Sequence, residues 1–395
     1  MNRNRGSLLL AVLIGATVVT ACDGEHRQDV SPASAAAPPR ATAAGGEQIV
    51  NVYNWPDYIA KDTLRDFEAR TGIKVNYSVY SNNDVLAQQL ESSPDAYDVV
   101  FPSAQPYAHE LLAKNAFARL DRSKLTNWKQ LDTEILGDLR GIDADNAHLV
   151  PYMWGTTGLG LNLDKVRVVL GANAALDSWG LLFDPLSAEK LSACGIGILD
   201  DELETFSAAL LWMGRDPNSS DEEAATLVRS TYAGIDRYVR KYTNSSELIA
   251  GLADGSLCVA LTYSGDVRQA QDRAMEIAEE KSARAPEIRY VIPREGALRW
   301  TDVIAIPRQA KHTDNAHRFI DYLMEPQVIA AISNYVAYAN GNSGSTKLID
   351  STIAKDPGVY PPVEVRTKLR TARQTTDDFA KLRKSIWTEI VYGQL

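Results

Sequence analysis

Three short stretches of the chain bring a carboxylate close to an aromatic ring: Trp55-Pro56-Asp57-Tyr58, Tyr263-Ser264-Gly265-Asp266 and Trp300-Thr301-Asp302. A fourth, Asp200-Asp201-Glu202-Leu203-Glu204, is acidic without an aromatic. Carboxylates hold ammonium groups through charge-assisted hydrogen bonds of about 1.5–3 kcal/mol each. Aromatic faces cover methylenes and add cation–π attraction, up to about 2 kcal/mol where water is excluded. Together these residue types suit a flexible organic cation. Ser103, just beyond the apolar run Val99-Val100-Phe101, adds a hydroxyl to the set.

Catalytic chemistry has no comparable support. The chain carries neither a G-x-S-x-G elbow nor an H-E-x-x-H helix. His109, His148, His312 and His317 sit in polar surroundings, and His312 and His317 are five apart, which does not put two metal ligands on one helix face. Both are expected to face solvent. Gly155, Gly158 and Gly160 match neither the dinucleotide fingerprint nor the phosphate loop. No enzymatic activity, metal or cofactor is therefore expected.

The groups that could do chemistry follow apolar runs. Ile49, Val50 and Val52 read as a strand ending at Pro56, and Asp62 is placed to cap a helix that Gly72 closes. The alternation of Ile73, Val75, Tyr77 and Val79 predicts a second strand, Asp84 opens a second helix, and 97–101 is a third strand. This β-α-β-α-β order predicts a mostly parallel sheet, whose ligands sit at the carboxyl ends of strands. Residues 149–161 read as a glycine-rich strand crossing between lobes. Strands at 195–199 and 257–261 belong to a second α/β lobe, 288–293 returns to the first, and Trp300 and Asp302 precede a strand at 303–306.

With 395 residues, 45% hydrophobic and 23% charged, the chain has room for two ordinary soluble domains. Its net charge of −10 disfavours nucleic acid and anionic membrane surfaces as partners. Residues 1–22 read as an export signal: Arg3 and Arg5 precede an apolar stretch from Leu8 to Val19 that is short for a membrane span. Val19-Thr20-Ala21-Cys22 resembles the bacterial lipobox, which makes Cys22 a lipid anchor. Asp23 resembles the retention signal of inner-membrane lipoproteins. Residues 23–47, rich in Ala, Pro and Ser, read as a flexible tether. Cys194 and Cys258 are left as an even pair in an oxidising compartment, and a disulfide between them is expected.

Further segments carry a family resemblance. Tyr53-Asn54-Trp55-Pro56-Asp57-Tyr58-Ile59-Ala60, Thr71-Gly72-Ile73-Lys74-Val75, Leu120-Asp121-Arg122-Ser123-Lys124-Leu125, Pro151-Tyr152-Met153-Trp154, Asp177-Ser178-Trp179 and Ile292-Pro293-Arg294-Glu295-Gly296 occur in order. From about 48 to 392 the chain resembles the periplasmic polyamine-binding proteins of ABC importers for putrescine and spermidine. The resemblance implies an α/β, two-lobed periplasmic-binding-protein fold of type II, each lobe a mixed, mostly parallel sheet flanked by helices. The lobes are assigned as 48–152 plus 291–326 and 153–290 plus 327–395. It also implies the Cys194–Cys258 bridge.

Carried over by position, Trp55, Tyr58, Tyr263, Trp300 and Tyr338 match aromatic walls, Asp57, Glu204, Asp266 and Asp302 match acidic positions, and Ser103 matches a pocket serine. Pro56 stands where the family has serine or threonine, and Gln105-Pro106 lies in a loop one residue longer. Trp300 and an acid at Asp201 resemble members that prefer spermidine, so spermidine is expected first and putrescine next. The implied partners are a polyamine and ABC permease subunits, with the membrane reached only through the lipid anchor. The implied site is the periplasm, at the inner membrane, as a monomer. A binder of another amine or an amino acid, a polyamine sensor, and an exported enzyme on the same fold are the alternatives.

Overall fold

The computed structural model describes residues 47–393, so the expected signal, Cys22 and nearly all of the tether lie outside the described residues. The first strands form as their patterns require. β1 (Ile49–Asn54) alternates half-buried and buried positions until Val52, Tyr53 and Asn54 are all enclosed. It lies parallel between β2 (Lys74–Val79) and β3 (Val99–Val100). The crossovers are α1 (Thr63–Thr71), closed by left-handed Gly72, and α2 (Asn83–Ser92). Neither expected cap holds. Asp62 makes no capping bond and pairs instead with Arg65 at 2.8 Å. Asn82, whose Oδ1 accepts from Val85 N at 3.0 Å, caps α2 in place of Asp84.

A mixed sheet follows. β4 (Val150–Asn162) is the expected glycine-rich crossing strand, and it is central. β5 (Ile196–Leu199) leads into α3 (Glu202–Trp212), and β6 (Lys241–Thr243) flanks it. β7 (Val259–Tyr263) leads into α4 (Ser264–Glu280), followed by β8 (Ile288–Val291) and β9 (Ala297–Ile304). Then come α5 (Thr313–Leu323), α6 (Pro326–Val336), β10 (Ala339–Asn340), β11 (Leu369–Arg370) and α7 (Asp377–Val391). β5 runs parallel to β6 and β7, while β4 is antiparallel to β7, β8, β9 and β10.

Two large apolar cores result, with smaller clusters beside them. One collects Val52, Phe67, Phe101, Tyr152, Ile304 and Phe319. The other collects Leu159, Leu161, Trp179, Phe206, Tyr232 and Trp387. Each fully enclosed side chain of this size contributes about 1.5–3 kcal/mol. β4 serves both, through Tyr152 and Met153 at one end and Leu159 and Leu161 at the other. Cys194 and Cys258 are bonded, with Cα atoms 5.5 Å apart, and staple the approaches to β5 and β7.

Some expectations meet a different structure. β8 pairs with residues 159–162 of β4, and Ile288 packs in the second core rather than returning to the first. The segment 327–395, expected in the second lobe, divides. Val328, Ile329, Ile332, Val336 and Tyr338 fill the first core, and α7 joins the second. The reason is apolar: α6 opens on Pro326 and buries Val328, Ile329, Ile332 and Val336 together in the first core. His312 and His317 are not solvated. His317 accepts from Asp121 N at 2.9 Å, and the His312 ring bonds buried Asp98 at 2.9 Å.

Candidate functional site

Two pairs of parallel strands, β1 with β3 in one sheet and β5 with β7 in the other, end at one cleft. β1 delivers Trp55 to Tyr58, β3 delivers Ser103, β5 delivers Asp201 and Glu204, and β7 delivers Tyr263 and Asp266. Trp300 and Asp302 arrive differently. Both lie within antiparallel β9, not ahead of a strand, and an isolated bridge sets Asp302 opposite Ser103. Tyr338 enters from the turn between α6 and β10. All of these residues, with Asp57, line one cavity of about 340 Å³.

The carboxylates are held individually. Asp302 accepts from Ser103 Oγ at 2.7 Å and from Tyr58 Oη at 2.9 Å. Asn83 donates to Ser103 Oγ at 3.1 Å and accepts from Ser103 N, which fixes the serine. Asp266 accepts from Thr262 Oγ1 at 2.8 Å and from Tyr338 Oη at 2.9 Å. Burial, then the adjacent carboxylates, pushes both phenols up, so each remains a donor. Glu204 is 6% exposed, and its Oε2 has no hydrogen-bond partner among the described residues; Trp300 Nε1 is buried and unpartnered in the same way.

The rings form a continuous wall. Tyr58 meets Tyr338 edge to face with centroids 5.6 Å apart, Tyr338 meets Trp300 at 5.1 Å, and Trp300 meets Tyr263 at 5.5 Å. Trp55 stands against Tyr80 at 4.6 Å and donates its Nε1 to Phe101 O at 2.8 Å. Two glycines make this packing possible. A Cβ on Gly155 would stand 2.5 Å from the Trp300 ring, and one on Gly265 2.5 Å from the Tyr338 ring.

Electrostatically the cavity is one-sided. Its lining holds seven carboxylates (Asp57, Asp138, Asp200, Asp201, Glu204, Asp266 and Asp302) and a single cationic side chain, Arg299. That guanidinium is bound to Asp138 at 2.6 Å. Burial pushes Glu204 up to about 8, reinforced by the neighbouring Asp201, and pushes Asp302 up to about 6 against the pull of its two hydroxyl donors. Asp266 and Asp201 are raised as well, again chiefly by burial. Glu204, Asp266 and Asp302, buried with raised values and no cation opposite, are poised for a cationic guest.

Two expected site residues have other attachments. Asp57, at φ +53°, is half exposed and faces Arg273 of α4 at 3.8 Å. Asp201 caps α3, its Oδ1 accepting from Leu203 N at 3.0 Å and Glu204 N at 3.1 Å. Sequence reading missed Asn83 and Thr262, which orient the ligating groups, and the spacer role of Gly155 and Gly265. Thr262 stands four residues before Asp266 across a strand-to-helix junction, a spacing that could have shown it.

A cleft between two α/β cores, formed from strand ends and lined with convergent acids and rings, defines a solute-binding protein. The chain belongs to the bacterial extracellular solute-binding protein family, which matches residues 62–361. It is a binding protein rather than an enzyme. It is 41% identical over 353 residues to the putrescine-binding periplasmic protein PotF of Escherichia coli (strain K12), covering 89% of this chain and 94% of that one. It is 40% identical over 351 residues to the putrescine-binding periplasmic protein SpuD of Pseudomonas aeruginosa (strain UCBPP-PA14), with the same coverage. Among solved structures, a putative spermidine/putrescine ABC transporter from Listeria monocytogenes superposes with a TM-score of 0.75 at 27% identity, covering 87% of this chain and 98% of that one. The two-lobed fold expected from sequence is thus established. Among the described residues, no helix is long and apolar enough to cross a membrane.

Proposed function

We propose that the protein captures a protonated polyamine in this cleft, chemically unchanged, and hands it to an ABC permease from a lipid anchor at Cys22, acting as a monomer. The observation that carries this reading is the excess of seven carboxylates over one already-paired arginine in an aromatic-walled cavity. Amines resembling that of lysine, with pKa near 10.4, stay charged at neutral pH and supply the missing cations. Asp302 and Asp266 offer two fixed acceptors, Glu204 a third, and the wall of Tyr58, Tyr338, Trp300 and Tyr263 lies along the methylenes. The lobes close over the ligand, which excludes water and strengthens each ionic contact.

Putrescine is the first ligand of this reading. Asp201, the acid that favoured a third ammonium, spends its Oδ1 on the α3 cap, and both relatives above are putrescine-binding. Spermidine is second, on the strength of Trp300. Calorimetric titration of residues 47–395 with putrescine, spermidine and a panel of other amines tests both, with tight heat from putrescine expected. No heat and no thermal shift with any amine would overturn the assignment, and a clearly tighter spermidine would reverse the order.

A further inference from the structure

The trio Asp200-Asp201-Glu202 is an acidic run at one end of the cavity: Asp200 and Asp201 line it, and Glu202 stands just behind them. The C-terminal helix α7 approaches it from behind. One turn apart on that helix, Arg383 donates Nε to Glu202 Oε1 at 3.1 Å and Trp387 donates Nε1 to Asp200 Oδ1 at 2.7 Å. Asp201 lies between them with its Oδ1 capping α3. Arg383 is buried, at 9% exposure, so its charge is little screened. Its field also reaches Asp201 and opposes the rise that burial imposes there. Tyr107, on the cavity wall, feels the charges of Asp201, Asp84, Glu202 and Arg383, and burial with those carboxylates pushes its phenol up.

We propose that Arg383 is a specificity-determining residue: from α7 it supplies the cation that this acidic end of the cavity would otherwise take from the ligand, and so sets the preference for a diamine over a triamine. The inference rests on the polyamine reading above. Arg383 touches no ligand; it acts by occupying the charge of Glu202 and Asp201.

Calorimetry with putrescine and spermidine at pH 8 tests it, on the unaltered protein and on Arg383→Gln, Arg383→Gln with Asp201→Asn, and Glu202→Gln. In Arg383→Gln the ratio of spermidine to putrescine affinity is expected to rise by about tenfold, the low end of one charge-assisted hydrogen bond. Adding Asp201→Asn, which keeps a capping side chain, is expected to abolish that gain. Glu202→Gln leaves Arg383 only Asp201 to neutralise and is expected to move the ratio the other way. An unchanged ratio in folded Arg383→Gln, or a gain that survives Asp201→Asn, overturns the proposal. If Arg383→Gln does not fold, the Glu202→Gln ratio decides, and no shift toward the diamine overturns it. Failure of the unaltered protein to bind either amine would instead overturn the polyamine reading beneath it.

Discussion

Lowering the pH from 8 to 6 is expected to weaken polyamine binding by roughly two orders of magnitude, and the loss can be worked from two carboxyls. Glu204 sits at about 8 because it is buried beside Asp201, and Asp302 at about 6 because it is buried. An ammonium bound to either favours the ionised form, so binding at low pH must first expel the proton. Glu204 is half ionised at pH 8 and about 1% ionised at pH 6, a factor of about 50, and Asp302 contributes about another twofold. The ligand's amines are charged throughout this range, so the slope belongs to the protein. Calorimetry at pH 7 in two buffers of different ionisation enthalpy should register about one proton released per ligand, mostly from Glu204. Glu204→Gln should lose most of that release and flatten the profile. An affinity independent of pH between 6 and 8, with no proton released, would refute the claim that Glu204 meets a cation.

The same carboxyl bears on the stability of the ligand-free fold. Its folded value lies above its unfolded one, so the native state holds a proton that the unfolded state gives up, and stability is lost as pH rises from about 4.5 to 8. Glu204→Gln should therefore stabilise the ligand-free protein on the order of 2–4 kcal/mol at pH 8 and far less at pH 5, read by thermal melting; equal effects at both pH values would contradict this. Gly155→Ala places a methyl 2.5 Å from the Trp300 ring, and it should weaken binding about tenfold or more while leaving the secondary structure intact by circular dichroism. Replacing both Cys194 and Cys258 by serine opens a loop spanning 64 residues and should cost about 2–4 kcal/mol in denaturant unfolding.

Much of the site could be read from strand ends. Trp55, Ser103, Glu204 and Asp266 follow β1, β3, β5 and β7, whose apolar runs are bounded by Pro, Ser, Asp or a polar turn, and parallel strands must deliver those residues to one edge. Trp300 and Asp302 broke that rule because they lie inside β9, which passes antiparallel to β3 where Asp302 faces Ser103 and Ala305 faces Val100, and pairing direction leaves no local mark in the sequence. Asp201 is ambiguous for a different reason: it lines the cavity and also caps α3. Asp201-Glu202-Leu203-Glu204 has the spacing of a capping box, a helix-start signal as good as any cation signal. The charge beside it is set by Arg383, which bonds Glu202 from 181 residues away, and a contact of that range has no periodicity to betray it. Tyr338 was legible only through family resemblance. The packing of α6 against the first core was not legible at all, since an apolar helix face does not state which sheet it covers.

β4 has a consequence for the order of assembly. Its second half, with β5, β6, β7, β8 and the disulfide, draws on one continuous stretch of chain from 157 to 291. The first core must instead wait for β9, α5 and α6, some 250 residues after β1. A chain emerging amino end first carries its opening β-α-β-α-β segment as an unfinished sheet while the middle already has most of its partners. Local contacts form before distant ones, so the middle lobe is expected to nucleate and to offer β4 as the template on which the earlier strands finally close. The amides of β1, β2 and β3 would then be the last to gain protection in pulsed hydrogen exchange.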